Sequence, residues 1–212
     1  AIEMVLTAIQ AAGFKTGSQI GIAMDAANSE LWNAKEKKYI FHKSDNKKLT
    51  SEQLVKFWSD WARQYPIISI EDGMAEDDFE GFVEITKKLG KKIQIVGDDL
   101  FVTNKNRLST GIEKGACNSL LLKVNQIGSL TEAIDTANLA YRNGYSVVVS
   151  HRSGETEDTM IADIAVGISS GQIKTGAPSR SERCAKYNRL LRIEEYLGES
   201  PFYAGKKFKI PF

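Results

Sequence analysis

The sequence predicts an α/β fold in which parallel strands alternate with helices. Short runs rich in Ile, Val and Leu recur along the chain, and turn residues bound each of them. Helix-capping signals lie between these runs, and a polar or charged residue closes each run. Strands that are separated by helices form parallel βα units with right-handed crossovers. The six runs are QIGIAMD (19–25), PIISIED (66–72), KIQIVGD (92–98), SLLLKVN (119–125), YSVVVSH (145–151) and GQIKTG (171–176).

The composition is typical of a globular protein with one large core. The chain has 212 residues, of which 42% are hydrophobic and 26% charged, and its net charge is +1. This near-neutral balance gives no support for binding to nucleic acid or to an acidic membrane surface. No apolar run approaches the roughly 20 residues of a membrane span. Cys117 and Cys184 lie in no CxxC spacing, which favours a reducing, cytoplasmic location.

The amino-terminal segment AIEMVLTAIQAAG has the periodicity of an amphipathic helix. Ile2, Val5 and Ile9 fall on one face of it. The segment lacks a basic region and a cleavage site, so it does not resemble a signal peptide. Because the chain opens within a helical pattern and without Met, we expect it to be a piece of a longer protein.

Helix starts are predicted between the strands. The polar, lysine-rich segment 32–48 interrupts the pattern and predicts a small hairpin on the surface, with His42 exposed. Capping-box spacing, in which a Ser or Thr precedes Glu or Gln by three residues, predicts further helix starts. The predicted caps are Thr50 with Gln53, Ser129 with Glu132, Ser179 with Glu182, and Thr156 ahead of DTMIADIAVGIS.

Each predicted strand finishes on a residue that a buried strand normally avoids. Six strands fit a doubly wound sheet, whereas a closed (β/α)8 barrel needs eight, and periodicity does not separate the two. In a parallel barrel, all carboxyl ends of the strands open onto one face, where active sites are built. The residues at these ends are Asp25, Glu71, Asp98, Lys123, His151 with Arg152, and Lys174.

Three acidic residues on successive strands predict a magnesium site. We call the opening at the carboxyl ends of the strands the mouth. Repulsion is expected there among the carboxylates of Asp25, Glu71 and Asp98, and Mg²⁺ prefers such oxygen ligands. The alternative is that each acid only caps the helix that follows its strand. Asp72 and Asp99 are expected to face the opposite way, because side chains alternate along a strand, and to act as caps or supports.

The lysine in the apolar run LLLKVN predicts a general base. Divalent metal ions and a second lysine favour the neutral amine of Lys123, which can then accept a proton. Lys174 is the expected second lysine, and it is also placed to hold a carboxylate or phosphate. The alternative for either residue is a lysine at a strand end whose ammonium group reaches water.

The segment His151–Arg152–Ser153–Gly154 predicts an anion site. Arg152 offers a planar fork of donors that suits phosphate, and the Ser153 hydroxyl and backbone N–H groups add others. The helix start predicted at Thr156 would place a positive dipole end nearby. Ser153 does not lie in a GxSxG motif, so a serine-hydrolase nucleophile is not expected.

Long motifs of this chain resemble the enolase (phosphopyruvate hydratase) family, from the first residues to about Gly198. The resemblance implies a glycolytic lyase that interconverts 2-phosphoglycerate and phosphoenolpyruvate with Mg²⁺. It also implies the enolase type of (β/α) barrel over residues 1–198. The aromatic and basic tail, residues 199–212, is expected to be a strap packed on the domain rather than a partner motif. The matching runs are SIEDG, VGDDLFVTN, LLLKVNQIGSLTEA, VVVSHRSGETEDT and GQIKTGAPSRSERCAKYNRLLRIEE.

By position, the resemblance implies a role for each strand-end residue. Lys123 matches the base that removes the proton at C2, and Lys174 matches the lysine on the carboxylate side. The magnesium ligands are implied to be Asp25, Glu71 and Asp98, and the substrate contacts His151, Arg152 and Ser153.

The resemblance also implies parts that this chain does not carry. Family members are about twice as long, with an N-terminal α+β domain and two further barrel strands, and those parts supply the glutamate general acid. The chain alone is therefore expected to be inactive, and its parent is expected to be a dimer or larger. The alternatives are another metal-dependent lyase or racemase of the enolase superfamily, and a non-catalytic binding fragment.

Overall fold

A computed structural model describes residues 1–205. Part of the predicted tail, residues 206–212, lies outside the described residues, so the packing of residues 199–212 on the domain stays a prediction. The helices are α1 (Ile2–Ala11), α2 (Ser51–Gln64), α3 (Phe79–Leu89), α4 (Lys105–Lys114), α5 (Val124–Ile127), α6 (Leu130–Arg142), α7 (Met160–Gly167) and α8 (Ser181–Leu197), with a 3-10 turn at Asn28–Leu31.

Six parallel strands form the main sheet, and each lies within one of the six predicted runs. Each strand of this sheet pairs with the next one of the sheet along the chain, so the order in the sheet is the order in the sequence. This order confirms the prediction of successive parallel βα units. The strands are β1 (Ile22–Asp25), β5 (Ile67–Glu71), β6 (Gln94–Gly97), β7 (Ser119–Leu122), β8 (Ser146–Ser150) and β9 (Ile173–Lys174).

The sheet is curled like a barrel wall. In a flat sheet of six strands, the two edges would lie about 24 Å apart, given a strand spacing of about 4.8 Å. Yet Lys174 of edge strand β9 contacts Asp25 of edge strand β1, with 2.9 Å between Nζ and Oδ2. Two side chains cannot span the flat distance, so the edges must approach each other. This contact separates a barrel-type sheet from a doubly wound one.

The predicted surface excursion at 32–48 is a small antiparallel sheet of β2 (Trp32–Asn33), β3 (Lys38–Ile40) and β4 (Lys48–Leu49). His42 is exposed there, as expected. Tyr39 is fully buried, and its hydroxyl donates to Asp78 Oδ2 at 2.7 Å and accepts the N–H of Ala75 at 2.9 Å. The hairpin therefore anchors the loop that follows β5.

Two of the predicted helix starts are confirmed and two are wrong. Thr50 forms a full capping box at α2, and the Ser129 hydroxyl accepts the backbone N–H of Glu132 at α6. Ser179 does not cap α8, because Arg180 occupies the cap position and no side chain bonds the helix end there. Thr156 does not begin a helix either, since α7 starts at Met160 behind Thr159. The dipole end predicted beside Ser153 therefore lies further along the chain.

The core lies between the sheet and its helices. It contains strand residues such as Ile70, Ile95 and Val147, all fully buried, against helix residues such as Phe82 and Leu108. This burial leaves the carboxyl ends of the strands as the place where polar groups gather. Within residues 1–205, no helix is both long and apolar enough to cross a bilayer.

Candidate functional site

Acidic side chains from three strands meet at the mouth of the curled sheet. Asp25 and Glu71 end β1 and β5 and are register partners, and Asp98 follows β6 directly. The Lys174 Nζ bridges the first two, at 2.9 Å from Asp25 Oδ2 and 2.7 Å from Glu71 Oε1. We call Asp25, Glu71 and Asp98 the acidic side of the mouth.

Lys123 reaches the same acidic side from β7. Its Nζ donates to Asp98 Oδ2, and the two side chains are only 14% and 9% exposed. Gln126, one turn further along, donates to the other carboxylate oxygen of Asp98 at 3.0 Å. The Thr103 hydroxyl accepts the N–H of Lys123 at 2.9 Å, which fixes the backbone from which the lysine projects. The predicted base thus contacts a predicted metal ligand.

Asp72 links the ends of β5 and β6. Its two carboxylate oxygens accept the backbone N–H groups of Asp98 and Asp99, each at 2.9 Å. It adopts a positive φ of 43°, which is rare for a residue other than Gly. Asp72 therefore acts as a support for the turn that carries Asp98, as the sequence predicts.

Asp99 does not face away from the mouth as the alternation of strand side chains predicts. Carboxylate oxygens of Asp72, Asp98 and Asp99 lie within 4.8 Å of one another. The prediction is wrong here because β6 ends at Gly97, so the residues after it no longer alternate. Burial raises the pKa of Asp99, and the neighbouring charge of Asp98 raises it further.

The electrostatics of the acidic side follow from its burial. Burial, helped by the charges of Asp25 and Asp98 and opposed by the Lys174 charge, raises the pKa of Glu71 to about 7. Burial alone would lower the pKa of Lys174, but the adjacent Glu71 and Asp25 raise it. Burial therefore disfavours a bare Glu71 carboxylate, and each acid of the acidic side has a lysine partner, Lys174 for Asp25 and Glu71 and Lys123 for Asp98.

The segment of residues 151–156 after β8, which we call the basic loop, borders the mouth. The His151 N–H donates to the Lys174 carbonyl at 2.9 Å, which ties the loop to β9. Arg152 Nη1 donates to Asn125 Oδ1 at 2.9 Å, so its guanidinium extends toward the segment that follows Lys123. Ser153 is exposed and available to a ligand. The structure thus joins Asp25, Glu71 and Lys174, and also Asp98 and Lys123, by side-chain contacts, while His151, Arg152 and Ser153 lie on the adjoining loop.

Two buried cations behind the basic loop are absent from the sequence prediction. Arg183 is 4% exposed and Lys186 is 1% exposed, and both project from α8. Arg183 donates to the carbonyl oxygens of Arg152 and Ser153, at 2.9 and 3.0 Å. Arg183 and Lys186 are three residues apart and therefore share one helix face. Because a charged helix face is usually solvated, the sequence gives no signal that these two side chains are buried.

In chemical type the donors of the acidic side suit a hard divalent cation, but the three carboxylates whose oxygens lie within 4.8 Å of one another among the described residues are Asp72, Asp98 and Asp99, which include only one of the predicted ligands. The side chains of the acidic side offer only carboxylate oxygens, which suit Mg²⁺. The Lys174 ammonium already bridges two of these carboxylates, so the position accommodates positive charge. Asp72 is a weaker candidate ligand, because backbone N–H groups occupy both of its oxygens.

A model of the family described as "Enolase, C-terminal TIM barrel domain" matches residues 1–211. The match agrees with the curled parallel sheet, and the described residues supply six of the eight strands of a closed barrel. It spans all eight predicted site residues. The chain therefore belongs to the family of enolase C-terminal TIM barrel domains.

Proposed function

We propose that this domain serves the reversible dehydration of 2-phosphoglycerate to phosphoenolpyruvate, the lyase reaction of glycolysis. The observation that carries the proposal is the placement of Lys123, whose Nζ reaches Asp98 at a mouth lined by acids from three strands. A partly buried lysine beside a candidate metal ligand is suited to act as a base that removes a proton next to a carboxylate. Family membership supports the proposal, since it places the chain among enolase-type domains.

Lys123 is the proposed base for the proton at C2 of the substrate. Thr103 and Gln126 fix its surroundings, so its amine has a defined position. The amine must be neutral to accept the proton, and exchange of its Asp98 partner for substrate would free it from that ion pair. Lys174, which pairs with Asp25 and Glu71, supplies a second positive charge in the mouth.

The basic loop and Lys174 are proposed to hold the two anionic groups of the substrate. The Arg152 guanidinium offers paired donors to the phosphate, and the exposed Ser153 hydroxyl adds another. Lys174, which already binds two carboxylates, is suited to the substrate carboxylate. His151 lines the space between them.

Asp25, Glu71 and Asp98 are the residues proposed to hold Mg²⁺. When bound, this cation supplies charge that stabilises the enolate formed by proton removal. These carboxylates, which pair with Lys174 and Lys123 in the structure, would be the groups that hold it. We assign no general acid to this chain, and loss of a general acid typically costs about 10²–10⁴ in rate.

The test separates proton removal from dehydration. In ²H₂O with Mg²⁺, NMR follows exchange of the C2 proton of 2-phosphoglycerate, and absorbance follows formation of phosphoenolpyruvate. We expect C2 exchange by the native chain, dehydration that is far slower than exchange, and loss of exchange in Lys123→Ala. Exchange that persists in Lys123→Ala would remove the proposed base. Exchange with other 2-hydroxy acids but not with 2-phosphoglycerate would favour another lyase or racemase.

We further propose that the domain works in the cytoplasm as part of a homo-oligomer, a dimer or larger. The reducing pattern of its cysteines supports the location, since Cys117 and Cys184 are both free thiols. Sedimentation of the chain measures the oligomeric state, and a monomer at every concentration would contradict this part of the proposal.

A further inference from the structure

The basic loop is held from behind by side chains of α8. The Arg183 Nη1 group donates to His151 Nδ1 and also to the Arg152 carbonyl oxygen at 2.9 Å, and Nη2 donates to the Ser153 carbonyl oxygen at 3.0 Å. One guanidinium thus binds three consecutive residues of the loop. Because Arg183 is 4% exposed, water does not compete for these bonds.

The contact with His151 determines the position of the imidazole proton. A guanidinium has only donors, so the ring nitrogen beside it must accept. His151 Nδ1 therefore carries a lone pair, and the proton of the neutral ring resides on Nε2. Among residues 1–205, Nε2 has no hydrogen-bond partner, and the partly exposed ring leaves it accessible.

We propose that Arg183 is a positioning residue that fixes His151 as the neutral Nε2–H tautomer and thereby presents an N–H donor to the anionic substrate in the mouth. Only one part of this inference, the donation of the Nε2–H to the substrate, rests on the proposed function. Gly176, at a φ of 84°, packs against both side chains, and a Cβ there would lie 3.0 Å from Arg183 Cδ and 3.3 Å from His151 Cε1. The pair is therefore enclosed as well as hydrogen-bonded.

The charges around the ring agree with a neutral imidazole. Burial, together with the cationic groups of Arg183, Lys174 and Lys123 and against an opposing effect of Glu155, lowers the pKa of His151 to about 4. These four groups come from α8, β9, β7 and the basic loop itself. A neutral ring with a free N–H can donate to an anion without adding charge to a mouth that already holds two lysines.

Nitrogen NMR measures the tautomer directly in the chain without substrate. The chain has two histidines, so the variant His42→Gln, which changes an exposed residue of the hairpin, leaves His151 as the only imidazole. We expect a protonated Nε2 and an unprotonated Nδ1 at neutral pH. A proton on Nδ1, or a doubly protonated ring at neutral pH, would overturn the proposal.

Arg183→Met in the same background tests the cause. Loss of the guanidinium should raise the pKa of His151 toward its ordinary value of 6.5 and populate the Nδ1–H form. Arg192→Met, at an exposed position of the same helix, is the matched control and should leave both quantities unchanged. An unshifted pKa together with an unchanged tautomer in folded Arg183→Met would contradict the role of Arg183.

Binding variants test the donor and do not depend on the folding of Arg183→Met. His151→Gln retains an amide N–H near the Nε2 position, whereas His151→Asn places its amide near Nδ1. We expect the Asn variant to bind 2-phosphoglycerate about tenfold more weakly than the Gln variant, the value of one hydrogen bond to a charged group. Equal affinities would overturn the donor role. A native chain that binds none of this anion contradicts the proposed function, while the NMR result still decides the role of Arg183.

Discussion

The two sides of the mouth are stabilised by different kinds of contact. On the acidic side, carboxylates pair with lysine side chains, as Lys174 does with Asp25 and Glu71. Behind the basic loop, buried cations donate to backbone carbonyl oxygens, as Arg183 does at Arg152 and Ser153. A ligand can take the place of one partner in a side-chain ion pair. It cannot take the place of hydrogen bonds to backbone carbonyl oxygens that hold a loop in its conformation. The first set of contacts is therefore suited to exchange during function, and the second to support.

The largest effect on stability is expected at Lys186. Its Nζ donates to the carbonyl oxygens of Thr156 and Glu182, and it lies 3.6 Å from Glu155 Oε1. Lys186→Met removes the cation beside the Glu155 carboxylate, whose side chain is 16% exposed, and one donor to the Thr156 carbonyl oxygen, so we expect a loss of about 3–5 kcal/mol in the free energy of unfolding. Urea denaturation measures it, and the exposed Lys91→Met is the control. A loss in Lys186→Met as small as that of the control would contradict the supporting role of these contacts.

A smaller but more specific effect is expected at Asp98. At a Mg²⁺ concentration of about 100 times its Kd, binding to the folded state raises the free energy of unfolding by about 2.7 kcal/mol. Asp98→Ala should abolish this increase, because it removes one of three predicted ligands. Asp77→Asn, at an exposed acid in the loop after β5, should retain it. Thermal denaturation with and without Mg²⁺ gives the comparison, and an Asp98→Ala response equal to the native one would refute the ligand assignment.

The smallest of these effects is expected at Tyr39, which supports the acidic side from the hairpin. Tyr39→Phe removes the acceptor of the buried Ala75 N–H and a donor to the partly buried Asp78 Oδ2, which keeps the Ser51 hydroxyl as a donor. We expect a loss of about 1–3 kcal/mol in the free energy of unfolding, the cost of leaving a buried polar group unpaired. The Mg²⁺ response should stay, since the acidic side itself is unchanged. Tyr196→Phe, where the ring is 90% exposed, should cost nothing measurable.

The sequence predicts the sheet and the mouth well for a physical reason. Buried parallel strands require continuous apolar runs, so a lone Lys123 or Glu71 at the end of such a run is conspicuous. The curl of the sheet leaves no such signal in the sequence, because the strands of barrel and doubly wound sheets have the same pattern of apolar residues. The contact of Lys174 with Asp25 decides between them, and it joins residues that are 149 positions apart.

The supports of the site were predicted less well. The Ser179 and Thr156 caps match a local spacing, but each predicted helix begins later, at Ser181 and Met160. Arg183 and Lys186 resemble ordinary surface charges of a helix, since their partners are backbone carbonyl oxygens about 30 residues earlier. Backbone acceptors exist at every residue and leave no mark in a sequence. Support by such contacts is therefore found only from a structure.

Crystals of the chain soaked in Mn²⁺ test the central claim most directly. Mn²⁺ prefers the same oxygen ligands as Mg²⁺ and gives an anomalous signal that locates the ion. We predict one peak bound by Asp25, Glu71 and Asp98, with the Lys174 and Lys123 ammonium groups displaced from these carboxylates. A peak held by Asp72 and Asp99, or lysine pairs that persist with no peak on the acidic side, would contradict the claim that these ion pairs exchange for metal.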